Sequence, residues 1–316
     1  MQNNEDIKKS FDEYYWRTIY PLMVEKEKVR LKFVKSFKKL VITACIVLPL
    51  LIGIAMKFVA KFDESGEGVL NTAYFLIAIA VFILRGPFVS YKIQVKNDVM
   101  SCFIKFFDGF KYEHGKGLSS FDIADSYIFP KFETFSADDC FSGTYKGVGV
   151  RVCEEELADY VYVNRRRRKE VLFLGIVLEL DMNKEFSHHT FVTKDKGIFN
   201  RFNGQYGFER VALEDVVFEK EFEAYSQNQI EARYLLTTAF MERMLKLKEL
   251  YKGKSIQFSF QNSKVLIAID TKENMFEPCS LLKTNLQQEQ VYKVFEQFIT
   301  IFSVIDMLKL NQRTGM

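Results

Sequence analysis

Two long uncharged stretches dominate the first third of the chain. Leu40 to Met56 holds no charged residue, and Val69 to Leu84 is also uncharged. The second stretch would be about 24 Å long as an α-helix, which is short for a membrane span. Neither stretch shows the polar stripe that a helix of a soluble core normally has. The pattern therefore predicts two transmembrane helices in preference to a buried helical hairpin, and Pro49 is compatible with a helix in lipid.

Amphipathic helices are predicted on both sides of these spans. Four residues at three- or four-residue spacing indicate one packed face of an N-terminal helix: Phe11, Tyr14, Tyr15 and Ile19. A restart is expected at Pro21, because proline suits a first helical turn. After the second span a helix is expected to end at Gly109, and a short one to begin at Ser119 or Ser120.

Further along, the apolar pattern changes to the two-residue period of β-strands. The alternating runs lie, in chain order, at 140–155, 158–164, 170–181, 189–195, 209–213, 255–260 and 265–270. The first run contains Gly147 and Gly149, which indicate a hairpin within it. Helical spacing returns at 238–251 and 286–310. The last of these helices has one apolar face: Val291, Val294, Phe298, Phe302 and Ile305.

Separate runs of strands and helices predict an α+β fold. We expect N-terminal helices with a two-helix transmembrane hairpin, followed by a cytoplasmic domain with a mostly antiparallel sheet packed by helices. Four segments follow from this: a cytoplasmic N-terminal helical segment at 1–39, the transmembrane hairpin at 40–84, a membrane-proximal helix and loop at 85–118, and the cytoplasmic α+β domain at 119–316.

The distribution of positive charge predicts the topology of the hairpin. The connecting loop, 61–68, holds Lys61 as its only basic residue, against three acidic residues. The flanks are basic: Lys26, Lys28, Arg30, Lys32, Lys35, Lys38 and Lys39 precede the first span, and Arg85, Lys92 and Lys96 follow the second. Lys and Arg favour the cytoplasmic side, so both termini are expected there.

Composition narrows the classes of function. Apolar residues make up 48% of the 316 residues, which excludes wholesale disorder, and a net charge of +3 is low for a protein that tracks nucleic acid. Five cysteines at irregular spacing predict reduced thiols and no structural metal. No phosphate-binding or hydrolase motif occurs, so no cofactor is expected.

A run of basic residues is the candidate contact with anionic lipid: Arg165, Arg166, Arg167, Arg168 and Lys169. It stands between two predicted strands, so a solvated hairpin loop is the favoured interpretation. Contact with lipid headgroups comes second, since each basic residue that reaches an anionic surface contributes about 1 kcal/mol. Nucleic acid comes third, because neither interleaved aromatic residues nor a basic helix accompanies the run.

Three other groups of residues favour structural roles. His188 and His189 are expected in a surface turn, and His114 in an exposed loop. Five carboxylates alternate with apolar residues, as in an amphipathic element with one solvent-exposed face: Glu214, Asp215, Glu219, Glu221 and Glu223. Cys140 and Cys153 face each other if the hairpin turns at Lys146–Gly147, but two small buried thiols are favoured over a disulfide or a metal site.

One stretch, 213–244, resembles the bacterial membrane family catalogued as domain of unknown function 3137. Its matching positions are Leu213, Glu214, Asp215, Phe218, Phe222, Tyr225, Arg233, Tyr234, Leu236, Thr237, Phe240 and Met241. Blocks at 138–143, 173–186 and 275–278 extend the resemblance over roughly 120–280. Asn228 stands where an acidic residue is expected, and Thr238 where proline is common. The resemblance implies a bacterial inner-membrane protein and supplies no mechanism.

Two functions from different classes remain. The first is a membrane-anchored cytoplasmic binding or scaffold module that recognises a protein partner, a second copy of itself or lipid. The second is an enzyme with an unfamiliar active site in the α+β domain. The first is favoured because no nucleophile–base pair or metal-ligand spacing is visible in the sequence.

Overall fold

The computed structural model describes residues 4–59, 67–182, 184–194, 207–251, 253–278, 284, 286 and 288–310. The chain divides into two compact units, one comprising residues 1–106 and 278–291 and the other 107–277 and 292–316. We call them the helical unit and the sheet unit. Residues 61–66 of the predicted connecting loop, 61–68, lie outside the described residues, as do the side chains of 83–88.

Three helices build most of the helical unit: α1 (Asn4–Tyr14), α2 (Tyr20–Val59) and α3 (Glu67–Phe103). A π-helical turn, Tyr15–Ile19, joins α1 to α2, and Pro21 lies in the first turn of α2 as predicted. Phe11, Tyr15 and Ile19 are fully buried. The predicted packed face of the N-terminal helix is therefore confirmed.

Helices α2 and α3 run antiparallel at the ends away from the connecting segment. Lys26 Nζ lies 2.5 Å from Asp98 Oδ2, and the Phe33 and Tyr91 rings stack at 4.6 Å between centroids. The Tyr91 hydroxyl donates to the carbonyl of Lys26 at 3.3 Å. An ion pair, an aromatic stack and a hydrogen bond thus hold α2 against α3 along one interface.

One helical stretch of the described chain, Glu5–Val59, is apolar enough to cross a membrane, with a mean hydropathy of 2.4 over a window whose side chains are not buried. The described apolar part of α3, Leu70–Phe82, is shorter than a span. One candidate span is thus present, and the predicted pair is not established.

Nine strands form one antiparallel sheet in the described part of the sheet unit. They are β1 (Lys111–His114), β2 (Thr134–Tyr145), β3 (Val148–Val163), β4 (Arg166–Asp181), β5 (Thr190–Lys194), β6 (Glu209–Arg210), β7 (Phe222–Ser226), β8 (Ser255–Gln261) and β9 (Lys264–Asp270). Their order is β1-β2-β3-β4-β9-β8-β5-β7-β6. The α+β content and the antiparallel sheet predicted from the sequence are confirmed.

Short helices and one long helix complete the sheet unit. They are α4 (Ser120–Asp125), α5 (Val216–Glu221), α6 (Gln229–Leu235), α7 (Thr238–Leu250) and α8 (Gln288–Leu308), the last beginning in the helical unit. Ser119 caps α4 as predicted, its hydroxyl accepting from the N–H of Asp122 at 3.0 Å. Asn228 caps α6 through its side-chain oxygen, a role that the expected acidic residue would also fill. Thr238 opens α7, where proline is favoured.

Aromatic residues hold the helices to one face of the sheet. Phe298 of α8 lies 4.6 Å from Phe141 of β2 between ring centroids, and Phe302 stacks on Tyr145 at 4.4 Å. Phe240 of α7 contacts Phe260 of β8. The opposite face carries a second core beneath α4 and the segment after it: Leu118, Ile123, Ile128, Cys140, Cys153, Leu157, Phe173, Val177, Phe191, Phe208, Tyr225 and Ala268. Adjacent residues of β2, Cys140 and Phe141, therefore serve opposite cores, as strand alternation requires.

Candidate functional site

The basic run lies on a two-stranded projection of the sheet. β2 pairs with β3 only as far as Ala158, and β9 pairs with β4 only from Gly175 onward. From Asp159↔Glu170 to Val163↔Arg166, β3 and β4 have each other as their only strand partners among the described residues. We call residues 159–170 the arm. An isolated ribbon of this kind exposes both faces and both edges.

The arm ends in a tight turn at Asn164 and Arg165. Both residues have positive φ, 51° and 62°, as the two central residues of a type I′ turn require. Arg166, Arg167, Arg168 and Lys169 consequently lie within strand β4. The prediction that the whole run forms a solvated loop is wrong for these four residues, and holds only for Arg165.

Cross-strand register divides the arm into two faces. Tyr160 pairs with Lys169 and Tyr162 with Arg167, and paired residues point to the same side of a ribbon. The other face carries Asp159, Val161, Val163, Arg166, Arg168 and Glu170. The prediction that no aromatic residue interleaves with the arginines is therefore also wrong, because β3 supplies two tyrosines from across the ribbon.

Two of the five cations on the arm have partners within the sheet unit. The Arg167 guanidinium lies 3.8 Å from the centre of the Tyr160 ring, and its Nη2 is 2.9 Å from Glu133 Oε2. Lys169 forms an ion pair with Glu156. Both cations lie on the face that carries the tyrosines. Their ion pairs with Glu133 and Glu156 fix the orientation of the ribbon relative to the sheet.

The other three cations, Arg165, Arg166 and Arg168, are exposed and form no ion pair with any described residue. Val163, on the same face as Arg166 and Arg168, is 41% exposed, and Tyr162, on the opposite face, is 74% exposed. The tip therefore presents three arginines together with an aromatic and an apolar side chain. That combination suits a surface with anionic groups over an apolar layer, since guanidinium groups bind phosphates and the rings enter the interface.

The neighbouring histidines occupy different environments. His188 is exposed, and its Nδ1 lies 2.8 Å from Glu231 Oε2, as a surface turn predicts. His189 is only 5% exposed, so the same prediction is wrong for it. Its Nε2 lies 2.7 Å from Ser259 Oγ, and burial lowers the pKa of the imidazole to about 4. At neutral pH His189 is uncharged and accepts or donates one hydrogen bond inside the core.

Ser259 also borders a polar cleft of about 330 Å³ on the α4 face. Its walls carry Asp122, Ser126, Glu179, Gln261, Asn262 and Lys264. Lys264 Nζ lies 2.9 Å from Glu179 Oε1, so two of the charges in the cleft compensate each other. The His189 ring stands behind Ser259 and does not itself line the cleft.

The carboxylate block serves structure, as predicted. Asp215 caps α5, its Oδ1 accepting from the N–H groups of Val217 and Phe218. Glu223 is the exception to the expected solvent-exposed face: it is buried, accepts from the Tyr225 hydroxyl at 2.8 Å and lies 3.4 Å from Arg210 Nη2. None of these carboxylates lines the cleft beside Ser259.

The two cysteines of the first hairpin are direct cross-strand partners. The chain turns at Lys146 and Gly147, Cys140 pairs with Cys153, and a disulfide joins them with a Cα–Cα distance of 4.1 Å. The favoured interpretation, two separate buried thiols, is therefore wrong. The sequence showed that a turn at Lys146–Gly147 would pair the two cysteines. It did not show that the strands adopt this register and not one shifted by a single residue.

Comparisons with known proteins extend this description little. Residues 171–310 match the family described as "Protein of unknown function (DUF3137)", which confirms the resemblance over 171–280 and extends it to 310. No curated protein matches the chain. A crystal structure of the mycobacterial trehalose monomycolate transport factor A, TtfA, is similar with a TM-score of 0.35 and 10% identity, over 68% of this chain and 95% of that one. A likeness at that level carries no inference about this chain.

Proposed function

We propose that the chain is a membrane-anchored binding module whose arm contacts anionic lipid headgroups. In this proposal α2 and α3 both cross the inner membrane of a bacterium, both termini are cytoplasmic, and the sheet unit is tethered at the cytoplasmic leaflet. The observation that carries the proposal is the arm itself, which extends beyond the end of the sheet. It exposes three arginines and Val163, with Tyr162 exposed on the opposite face.

Charge and tethering support contact with lipid over contact with nucleic acid. Each arginine that reaches an anionic leaflet contributes about 1 kcal/mol, so three arginines give weak, reversible contact. A weak contact suffices for a unit that is already anchored, because the tether raises the local concentration of headgroups. The tether does not raise the local concentration of free nucleic acid. The whole chain is also nearly neutral, which does not favour binding to a polyanion.

An enzyme remains the second candidate, and the cleft beside Ser259 is the observation in its favour. Ser259 Oγ lies within hydrogen-bond distance of the His189 imidazole, an arrangement that a nucleophile and its base would share. A base with a pKa of about 4 is weak at neutral pH, and Ser259 is only 3% exposed. These two properties rank binding ahead of catalysis.

Vesicle co-sedimentation of a fragment comprising 105–316 tests the proposal. The fragment should bind phosphatidylglycerol vesicles weakly and phosphatidylcholine vesicles not at all. Replacing Arg165, Arg166 and Arg168 by serine should abolish binding and leave the unfolding temperature nearly unchanged, because these side chains are exposed. The matched control replaces three exposed cations elsewhere by serine, at Lys220, Arg233 and Lys246.

High salt decides whether the attraction is electrostatic. Binding should disappear above roughly 0.5 M salt, where the screening length is only a few ångströms. Binding that persists there, or that survives the arm substitution, would show that the arm is not the contact. Binding to single-stranded nucleic acid without binding to vesicles would favour the nucleic-acid interpretation instead.

A further inference from the structure

A β-bulge brings three metal-ligating side chains together at the β1 edge of the sheet. Ala137 pairs with Glu155 and Cys140 with Cys153, so Asp138 and Asp139 together oppose the single residue Glu154. In a regular strand two consecutive side chains point to opposite faces, and the bulge removes that restriction. Asp139 pairs directly with His114 at the end of β1. Bulges of this kind re-aim side chains beside functional sites.

The turn after β1 fixes the imidazole over these carboxylates. Gly115 has a φ of 68°, and its N–H donates to the carbonyl of Asp138 at 2.5 Å. His114 Nδ1 then lies 3.1 Å from Asp138 Oδ1 and 3.9 Å from Asp139 Oδ1. The sequence-based expectation of an exposed loop for His114 is wrong, since the residue is part-buried and ends a strand.

We propose that His114, Asp138 and Asp139 bind one divalent transition-metal cation. Their three ligand atoms lie within 4.8 Å of one another. A cation with bonds of about 2.0–2.2 Å holds neighbouring ligands roughly 3.0–3.6 Å apart, so small side-chain rotations would bring all three atoms into coordination. One imidazole nitrogen and two carboxylate oxygens suit Mn²⁺, Fe²⁺ or Zn²⁺ better than Ca²⁺ or Mg²⁺, which prefer oxygen alone.

The surroundings of the site favour a cation. Asp139 is fully buried, and the Tyr112 hydroxyl donates to its Oδ1 at 2.7 Å, which orients the carboxylate as an outer-shell partner orients a metal ligand. Asp138 is part-exposed and leaves the site open to solvent.

The site is distinct from the arm and goes beyond the proposed function. It reverses the sequence-based expectation that the chain holds no metal, an expectation that rested on cysteine and histidine spacing. Register across two strands and a bulge, not spacing along one, assembles these ligands. A bound ion would join β1 to β2 at the edge of the sheet, with coordination positions left for water or an anionic ligand.

Mn²⁺ binding to the full-length protein in detergent, after removal of metals with a chelator, tests the proposal. Mn²⁺ is the probe because sulfur ligands such as Cys45 and Cys102 bind it poorly. Titration followed by electron paramagnetic resonance of free Mn²⁺ should show one site per chain. H114Q and D138N should each raise the dissociation constant by about tenfold or more.

The control is E113Q, which removes a carboxylate from the same strand at a position that alternates to the other face. E113Q should bind Mn²⁺ as the unsubstituted protein does, and so should the variant with serine at the three arm arginines. Circular dichroism must show that H114Q and D138N are folded; the buried Asp139 is left unchanged for that reason. No binding by the unsubstituted protein, or equal binding by H114Q, would overturn the proposal and leave an ion pair of His114 with the aspartates.

Discussion

At the scale of single residues, Glu155 shows how burial changes the chemistry of a carboxylate. Its side chain is 1% exposed in β3, and its Oε1 accepts from the N–H of Leu118 at 2.8 Å. Burial raises the pKa of Glu155 to about 8, against the lowering effects of that hydrogen bond and of Arg151. The folded protein therefore holds a proton that the unfolded chain releases near its ordinary pKa.

The sign of the resulting pH dependence follows from linkage. Between pH 4.5 and about 8 the folded state binds more protons at Glu155 than the unfolded state, so this residue makes the protein less stable as pH rises. In that window the ionisation of Glu155 lowers the free energy of unfolding by at most about 1.4 kcal/mol per pH unit, and E155Q should remove this decrease. Thermal unfolding of the full-length protein should show E155Q near the unsubstituted protein at pH 5 and more stable at pH 8. The exposed variant E170Q is the control, and an E155Q protein that is less stable at pH 8 would contradict the assignment.

The sequence predicted the burial of apolar side chains better than the burial of polar ones. The apolar face of α8 was predicted correctly, with Val294, Phe298 and Ile305 all buried. The burial of His189 and Glu155 was not, because hydrophobic periodicity contains no information on polar side chains that find a partner across the sheet. Ser259 and the N–H of Leu118 are distant in sequence, and only the strand order brings them to these residues.

At the scale of elements, the arm explains how four consecutive basic residues, Arg166 to Lys169, can lie in a strand. Arginine and lysine have little intrinsic preference for strands, and the turn sequence Asn164–Arg165 lacks the glycine that marks a type I′ hairpin. The partner strand supplies the reason, since Tyr160 and Tyr162 pair with Lys169 and Arg167, and the Arg167 guanidinium lies over the Tyr160 ring. The two strands were predicted, but their continuation to the tip depends on these cross-strand pairs.

Arg165 should be a strained position that is retained for its charge. Its φ of 62° costs a non-glycine residue about 1 kcal/mol or more. R165G should stabilise the arm by about 0.5–1 kcal/mol, and slow amide exchange in 159–170 by about twofold to fivefold. Hydrogen–deuterium exchange with mass spectrometry measures this. R168G, in the middle of the strand, should instead speed exchange; equal effects of the two variants would show that the turn is not strained at Arg165.

At the scale of the whole molecule, the boundary of the sheet unit lies before β1. Phe107 stacks on Phe298 at 5.3 Å between ring centroids, and Phe110 contacts Phe302 at 5.4 Å. Phe107 lies in the helix that the sequence predicts to end at Gly109, and Phe110 follows that end directly. The sequence does not predict that these rings pack on α8, because their partners lie almost 200 residues away.

A fragment that begins at Lys111 should fold less stably than one that begins at Lys105. Loss of Phe107 and Phe110 exposes the aromatic face of α8, and each of these half-buried rings contributes on the order of 1 kcal/mol or more. Urea unfolding of the two fragments, followed by circular dichroism, should show a lower midpoint for 111–316 with a cooperative transition for 105–316. Equal midpoints would mean that the two rings do not belong to the core of the sheet unit.

The central claim is that α2 and α3 anchor the chain with the sheet unit in the cytoplasm. Ten basic residues flank the apolar stretches of the two helices, against Lys61 between them, and the window of mean hydropathy 2.4 lies in the helical stretch Glu5–Val59. Fusions of an alkaline-phosphatase-type reporter, which is active only outside the cytoplasm, measure this most directly. Activity is expected for a fusion after Asp63 and none for a fusion after Phe110. An active reporter after Phe110 would contradict the two-span anchor and place the arm on the opposite side of the membrane.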